Sequence, residues 1–236
     1  MKKEKLEGVD FVVYRELTGG IYFGEKGRKE NGSVAYDNCV YSAEEVDRIS
    51  RLAFDAAMQR RKKLTLVDKA NVLESSRLWR ERVQELSKDY PEVEVDYMFV
   101  DNAAMQLIIN PSQFDVVVTE NMFGDIITDE ASVLSGSLGL SPSASIGSKV
   151  GMFEPIHGSY PQAAGKNIAN PVATIMSVAM MLDNLGLFME AKDVRDAVSL
   201  SFKAKMMSSD LTKDNPAGTS EIGDFIAEKV LSTELV

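Results

Sequence analysis

Four stretches rich in valine and aromatic residues each run out into charged side chains. VDFVVYRE ends on Arg15 and Glu16, KLTLVD on Asp68 with Lys69 next, VEVDYMFVD on Asp101, and FDVVVTE on Glu120. Ligands of open α/β sheets bind outside the carboxyl ends of the strands. If neighbouring strands run the same way, these groups converge on one edge, where anion binding and proton transfer become possible. Charges that merely mark where a segment emerges into water explain any single strand end equally well, but explain all four together less well. Beyond the last stretch, FGDIITDEAS sets Asp125 and Asp129 four residues apart, on one face of a helix. Two like charges at that spacing cost a helix about 0.2–0.5 kcal/mol. A solvated face tolerates this and is the ordinary explanation of such a pair. A divalent cation would instead turn the repulsion into ligation, and hard carboxylate oxygens suit Mg²⁺ or Mn²⁺.

Other chemistries lack their residues. With one histidine and one cysteine, neither a His/Cys zinc site nor a Cys–His nucleophile pair can be assembled. No G-x-G-x-x-G and no Walker A pattern occurs, so neither a Rossmann fingerprint nor a P-loop is visible. His157 lies in a loop beside Gly158 and Ser159, where a local hydrogen-bonding role is the default. The net charge of -10 argues against nucleic acid or an anionic membrane surface as partner, though a local basic pocket for a small anion remains compatible with it. Cys39 has no second cysteine to pair with, which suits the cytoplasm. The start, MKKEKLEGVD, has no apolar segment of the kind a signal peptide needs. The longest apolar stretch, residues 175–182, is too short and interrupted to span a bilayer. A soluble protein is expected.

The elements that must position these groups follow from pattern. Strands are expected at 9–16, 63–68, 93–101 and 114–120, alternating with helices at 43–61, 75–89, 103–110 and 123–134. That alternation predicts an α/β architecture with a parallel or mixed sheet. Ser42 and Glu45 form a capping box at the first helix. Residues 24–41 are polar and glycine-dotted, a protruding arm with strand-like pieces at 33–36 and 39–41. Past Leu134 the run SGSLGLSPSASIGSKVG reads as a long connection or domain crossing. A polar loop at 154–171 follows it, and then helices near 172–187, 191–207 and 220–231. Two domains are expected, 1–135 and 136–236, the second supplying helices but few strands.

Several long motifs, in order, closely resemble the β-decarboxylating dehydrogenases. These are RELTGGIYFGE (15–25), VYS (40–42), VDKANVLESSRLWR (67–80), VDNAAMQLII (100–109), NMFGDIITDEASVLSGSLGLSPSAS (121–145) and EPIHGSYPQAAGKNIANP (154–171). RELTGG and DKANVLESS resemble the isopropylmalate branch, whereas isocitrate and homoisocitrate relatives tend to carry an asparagine and then a glutamate in the first motif. The resemblance implies the two-domain isopropylmalate/isocitrate dehydrogenase-like α/β fold. It also implies NAD-dependent oxidative decarboxylation of 3-isopropylmalate, a step of leucine biosynthesis. By the same resemblance Arg15 grips substrate carboxylates, Tyr41 and Lys69 are the acid/base pair, and Asp101, Asp125 and Asp129 ligate Mg²⁺ or Mn²⁺, with Asp101 near the substrate. Asn71 and Val72 follow Lys69 into the pocket, Val72 toward the isopropyl group. The loop carrying His157, Gly158, Ser159, Gln162, Ala169 and Asn170 matches the dinucleotide-binding loop, which in this family needs no glycine fingerprint.

Two departures stand out. Gln162 replaces an acid that commonly binds the adenosine ribose in NAD-using relatives; it can still hydrogen-bond a hydroxyl and offers no charge to a 2′-phosphate, so NAD is expected over NADP. Relatives also begin with a strand–helix region carrying two further substrate arginines, whereas MKKEKLEGVDF leads directly to Arg15. The fold is therefore expected to be truncated at its N-terminus, inactive or nearly so alone, with a destabilised or rearranged helical tail. The resemblance further implies a homodimer with shared sites, Lys69 and Asp101 reaching the partner's site and residues 24–41 forming an intersubunit arm. A relative acting on isocitrate, homoisocitrate, malate or tartrate, and a non-catalytic module that keeps the fold, are the competing readings.

Overall fold

The computed structural model describes Glu4 and residues 6–232. The chain forms two compact units that part between Ala131 and Ser132. In the first, strands β1 (Val12–Arg15), β4 (Lys63–Asp68), β5 (Glu94–Phe99) and β6 (Val116–Thr119) form one sheet in the order β1-β6-β4-β5. Every pairing is parallel, so the four strand ends with their charged groups do share one edge.

Helices cover both faces, which parallel sheets require. On one face Leu64, Leu66, Val116 and Val118 pack with Val46, Ala53, Phe54, Trp79 and Val83, from α1 (Ala43–Gln59) and α2 (Glu74–Leu86). On the other, Val67 and Val117 pack with Ala103, Leu107 and Ile127, from α3 (Val100–Ile109) and α4 (Asn121–Ser132). This division follows the two-residue alternation of strands. The capping box at α1 is present: Glu45 N donates to Ser42 Oγ at 3.3 Å and Ser42 N to Glu45 Oε2 at 2.7 Å. At the opposite sheet edge buried Asp115 accepts Arg60 Nε at 2.8 Å and Arg61 N at 2.9 Å, tying α1's end to the strands.

The arm differs from its sequence reading. Its antiparallel strands are β2 (Lys26–Lys29) and β3 (Val34–Asp37), whereas residues 39–41 are not a strand. KGRK has little intrinsic strand preference, so its strand depends on pairing with β3 rather than on local propensity. The chain at 39–41 is drawn instead toward the Gly20 loop, with Gly20 N donating to Val40 O at 3.0 Å, before entering α1. A second correction concerns Asp101. The third strand stops at Phe99 and α3 begins at Val100, placing Asp101 in a first helical turn, where backbone N–H groups favour a carboxylate.

The second unit packs α5 (Val172–Asn184), α6 (Phe188–Lys203) and α7 (Thr219–Leu231) around Val172, Ala197, Val198, Ile222 and Ile226. Within what the sequence presents as connection and loop lies an antiparallel hairpin, β7 (Pro142–Ile146) and β8 (Gly151–Pro155). In PSASI the apolar positions of the alternation are filled by Pro142, Ala144 and Ile146, of which only Ile146 is a strong strand former, so the signal is weak beside the Gly, Ser and Pro around it. The turn is closed by Gly147 N donating to Val150 O at 2.9 Å.

Candidate active site at the carboxyl edge of the sheet

Two clusters of the candidate side chains occupy the carboxyl edge of the first unit. The first gathers where β1 and β6 end. Arg15 directs Nη2 and Nε to Asn121 Oδ1 at 2.8 and 3.1 Å, and pairs through Nη1 with Asp125 Oδ1 at 2.6 Å. Tyr22 Oη donates to the other oxygen, Asp125 Oδ2, at 2.9 Å, which raises the Tyr22 phenol above its ordinary pKa. Gly124 makes the arrangement possible: a Cβ there would lie 2.6 Å from Arg15 Cγ. Asp129 stands one turn beyond Asp125 on α4.

Tyr41 belongs to the same cluster. Its ring sits edge-on to Trp79, 5.4 Å between centroids, and it is 7% exposed. Asn121 N donates to Tyr41 Oη at 2.9 Å, and Tyr41 Oη is 3.1 Å from Glu120 Oε2. Burial pushes the phenol far up, and the adjacent Glu120 adds to this. Burial also raises the Glu120 carboxyl. Gly20, at φ +73°, allows the ring to approach, since a Cβ would lie 2.3 Å from Tyr41 Oη. Glu16, itself buried, holds the intervening loop by accepting from Thr18 N at 3.0 Å and Gly19 N at 2.8 Å.

The second cluster lies where β4 and β5 end. Lys69 Nζ donates to Asp101 Oδ1 at 2.6 Å, and this bond depresses the Asp101 carboxyl below its ordinary pKa. The Lys69 backbone is fixed by its N–H to Ser76 Oγ at 3.0 Å. Its neighbour Asp68, 2% exposed, holds Arg80 in a two-point pair of 2.8 Å bonds. Asn71 and Val72 follow in the turn between β4 and α2, with Val72 60% exposed.

Among the described residues no three His, Cys, Asp or Glu side chains converge closely enough to hold a metal within one chain. The donor chemistry nonetheless fits a hard divalent cation: Asp125 and Asp129 offer oxygens a helical turn apart, and Asp101 is a third carboxylate on the same sheet edge.

In the second unit, His157 Nδ1 lies 3.0 Å from Gly158 O, a contact within its own loop. Gly158, Ser159, Gln162 and Ala169 are exposed. Asn170 anchors the loop's end, accepting from Val172 N at 3.0 Å and donating to Asp210 at 3.1 Å. Asn167 ties the loop to the start of α7 by accepting from Ser220 N at 2.9 Å.

Sequence reading missed Asn121 and Tyr22 as partners of Arg15 and Asp125, and missed Glu120 as partner of Tyr41. Asn121 lies within a motif already singled out, so its polar side chain just after a strand end was the available signal. Nothing in the spacing joins Tyr41 to Glu120, 79 residues apart.

A guanidinium, a buried phenol and helix-borne carboxylates thus gather at the carboxyl edge of a parallel sheet covered by helices on both faces, an α/β fold. The chain belongs to the isocitrate/isopropylmalate dehydrogenase family, whose model matches residues 1–226. It is 56% identical over 229 residues to a 3-isopropylmalate dehydrogenase of Desulfitobacterium hafniense, covering 96% of this chain and 65% of that protein. Its identity to the 3-isopropylmalate dehydrogenase of Carboxydothermus hydrogenoformans is 54%, covering 98% and 63%. Among solved structures it is similar to isocitrate dehydrogenase from Methylococcus capsulatus, with a TM-score of 0.88 at 41% identity over 95% of this chain and 68% of that one. The chain thus spans about two thirds or less of the length of these curated relatives, 63–65%.

Proposed function

We propose that this chain provides the substrate-anion, acid/base and cation-binding part of an enzyme that oxidises and decarboxylates 3-isopropylmalate to 4-methyl-2-oxopentanoate and CO₂, with NAD as hydride acceptor, in the cytoplasm. The observation that carries it is the meeting of Arg15, Asp125 and Tyr41's hydrogen-bonding partner Asn121 at the ends of β1 and β6. Arg15 presents a planar fork suited to a carboxylate, which would replace Asn121 and Asp125 as its partner. Lys69 is the base for the 2-hydroxyl proton, directly or through one water. Tyr41 is the acid that returns a proton to the enol carbon after CO₂ leaves. A bound Mg²⁺ or Mn²⁺ would supply Lewis-acid stabilisation of the negative charge developing on the substrate oxygen. Asp125 and Asp129 would hold it from one chain.

Lys69 bonds toward the β5 side and Tyr41 toward the β6–α4 side. On the family resemblance we assign Lys69 and Asp101 to the site of a second copy, so that two chains complete two sites. Exposed Met105 and Ile108 on α3 supply apolar surface suited to that contact. In the second unit the loop with His157, Gly158, Ser159, Gln162, Ala169 and Asn170 is assigned to NAD, with Gln162 uncharged toward the ribose.

Val72 separates 3-isopropylmalate from the other substrates of the family, since an exposed apolar side chain beside Lys69 favours an isopropyl group over a third carboxylate. A substrate panel on this chain, alone and within any longer polypeptide that contains it, tests this: 3-isopropylmalate should be turned over faster than isocitrate, homoisocitrate, malate or tartrate, and faster with NAD than NADP. Preference for isocitrate would overturn the assignment. The 236-residue chain alone is expected to turn over little, because among its described residues the second unit has only a two-stranded hairpin as sheet, a marginal platform. A chain that folds, dimerises and binds neither Mg²⁺ nor 3-isopropylmalate by calorimetry would instead be a non-catalytic module.

A further inference from the structure

We propose that Glu120 is the proton supply of Tyr41, a buried carboxyl that reloads the phenol from water in the open pocket Glu120 lines. The proposal rests on Tyr41 acting as the acid of the reaction above and adds a residue to it.

The geometry sets the problem and its answer. Tyr41 is 7% exposed and Glu120 is 5% exposed, so a phenol that has given up its proton is poorly placed to recover one from bulk water. A phenol oxygen carries one proton and can accept further bonds. One acceptor position is taken by Asn121 N at 2.9 Å, and Glu120 Oε2 lies 3.1 Å away. The other carboxyl oxygen, Glu120 Oε1, accepts from Phe123 N at 2.8 Å, which leaves Oε2 as the oxygen facing the phenol. An ionised Glu120 takes the Tyr41 proton into its own hydrogen bond and away from any substrate. A protonated Glu120 donates instead, freeing the Tyr41 proton and stabilising the oxygen it leaves behind.

Glu120 also lines an open pocket of about 530 Å³ together with Asp37, Cys39, Val40 and Leu73, room for several waters. Val40 is 61% exposed, so one wall of that pocket reaches solvent. The charged and titratable groups around the pair are Arg15, which favours the carboxylate, and Glu16, Cys39 and Asp37. Burial is the largest influence and holds the carboxyl above its ordinary range.

The step balances without any further reagent. The Tyr41 O–H bond breaks as the C–H bond forms at the enol carbon. The Glu120 O–H bond then breaks as Tyr41 O–H re-forms, and a solvent proton passed along water in the pocket re-forms the Glu120 O–H, matching the 2-hydroxyl proton that Lys69 releases to solvent. Glu120 touches no substrate; it acts through Tyr41.

The test is NMR of the full chain labelled with [¹³Cζ]tyrosine, titrated from pH 4 to pH 8, with Tyr41 assigned by its loss in Y41F. The wild-type Tyr41 signal should show a step with its midpoint above the ordinary glutamate value of about 4.3, and E120Q should abolish it. A wild-type signal that stays flat, or a step of equal size and midpoint in E120Q, would overturn the proposal. The wild-type titration needs no variant, so a poorly folded E120Q leaves the claim testable. In any polypeptide containing this chain that turns over 3-isopropylmalate with NAD and Mg²⁺, E120Q should lower kcat about 100-fold and leave KM within about threefold, at the low end of what an acid/base group contributes. Unchanged kcat would equally overturn the relay. Should the wild type decarboxylate none of the panel substrates, the functional reading falls, and the NMR step still decides whether the two side chains share a proton.

Discussion

Replacing Gly124 by alanine should destabilise the first unit, although alanine is the better helix former. In a helix interior the exchange by itself gains about 1 kcal/mol. Here the new Cβ would lie 2.6 Å from Arg15 Cγ, 2.9 Å from Cδ and 3.0 Å from Cβ. These are the stem atoms of a side chain tied at its far end to Asn121 and Asp125, so Arg15 can yield only by giving up those bonds. Overpacking of this kind costs about 1–3 kcal/mol, and contact with three stem atoms places it in the upper part of that range. The net loss is therefore about 1–2 kcal/mol. Gly223 in α7 is the control, because a Cβ there meets nothing within 4 Å, so G223A should gain about 0.5–1 kcal/mol. Trp79 is the single tryptophan and is buried in the first unit, so urea unfolding followed by its fluorescence reports that unit. Far-UV circular dichroism adds the helices of the second. If G124A matches or exceeds the wild-type midpoint by tryptophan fluorescence, the account of how glycine admits Arg15 is wrong.

Three other outcomes follow from the same structure. R80A strands the Asp68 carboxylate, 2% exposed, without its two 2.8 Å bonds; discounted for the partly exposed arginine and the remaining Ala70 N–H bond, about 2–4 kcal/mol should be lost, and a loss under 1 kcal/mol in urea would contradict this. Lys69 depresses the Asp101 pKa, so the pair's contribution is present above the unfolded aspartate value and fades as pH falls through the lowered folded one. In K69M the ¹³Cγ titration of Asp101 should move upward, and an unmoved midpoint would show that Lys69 is not the cause. I108K, placed on the exposed apolar side of α3, should shift the proposed dimer to monomer in light scattering, and an unaltered dimer would locate the contact elsewhere.

Local chemistry made much of this protein legible. The four strands of the first unit, the helices between them and the Ser42–Glu45 cap are each written in a few consecutive residues, through valine-rich runs, helical spacing and a reciprocal hydrogen bond. The placing of Arg15, Asp68 and Glu120 at strand ends could be read the same way. Long motifs added the family. The strands that were misread, Lys26–Lys29 and the hairpin of Pro142–Ile146 with Gly151–Pro155, have weak intrinsic preference, and their strand form comes from pairing with a neighbour rather than from their own residues.

Only the folded chain decided which charged groups meet. The order β1-β6-β4-β5 puts residues 106 apart, Arg15 and Asn121, in hydrogen-bond contact, and sends Lys69 to Asp101 rather than to Tyr41. A strand end fixes where a side chain emerges along the sequence; its partner depends on which strand lies beside it, and on helix packing that no single segment encodes. The same holds for protonation. Glu120 and Tyr41 are ordinary residues in sequence, and their shifted acidities come from burial and from each other, conditions that exist only once the sheet has closed over them.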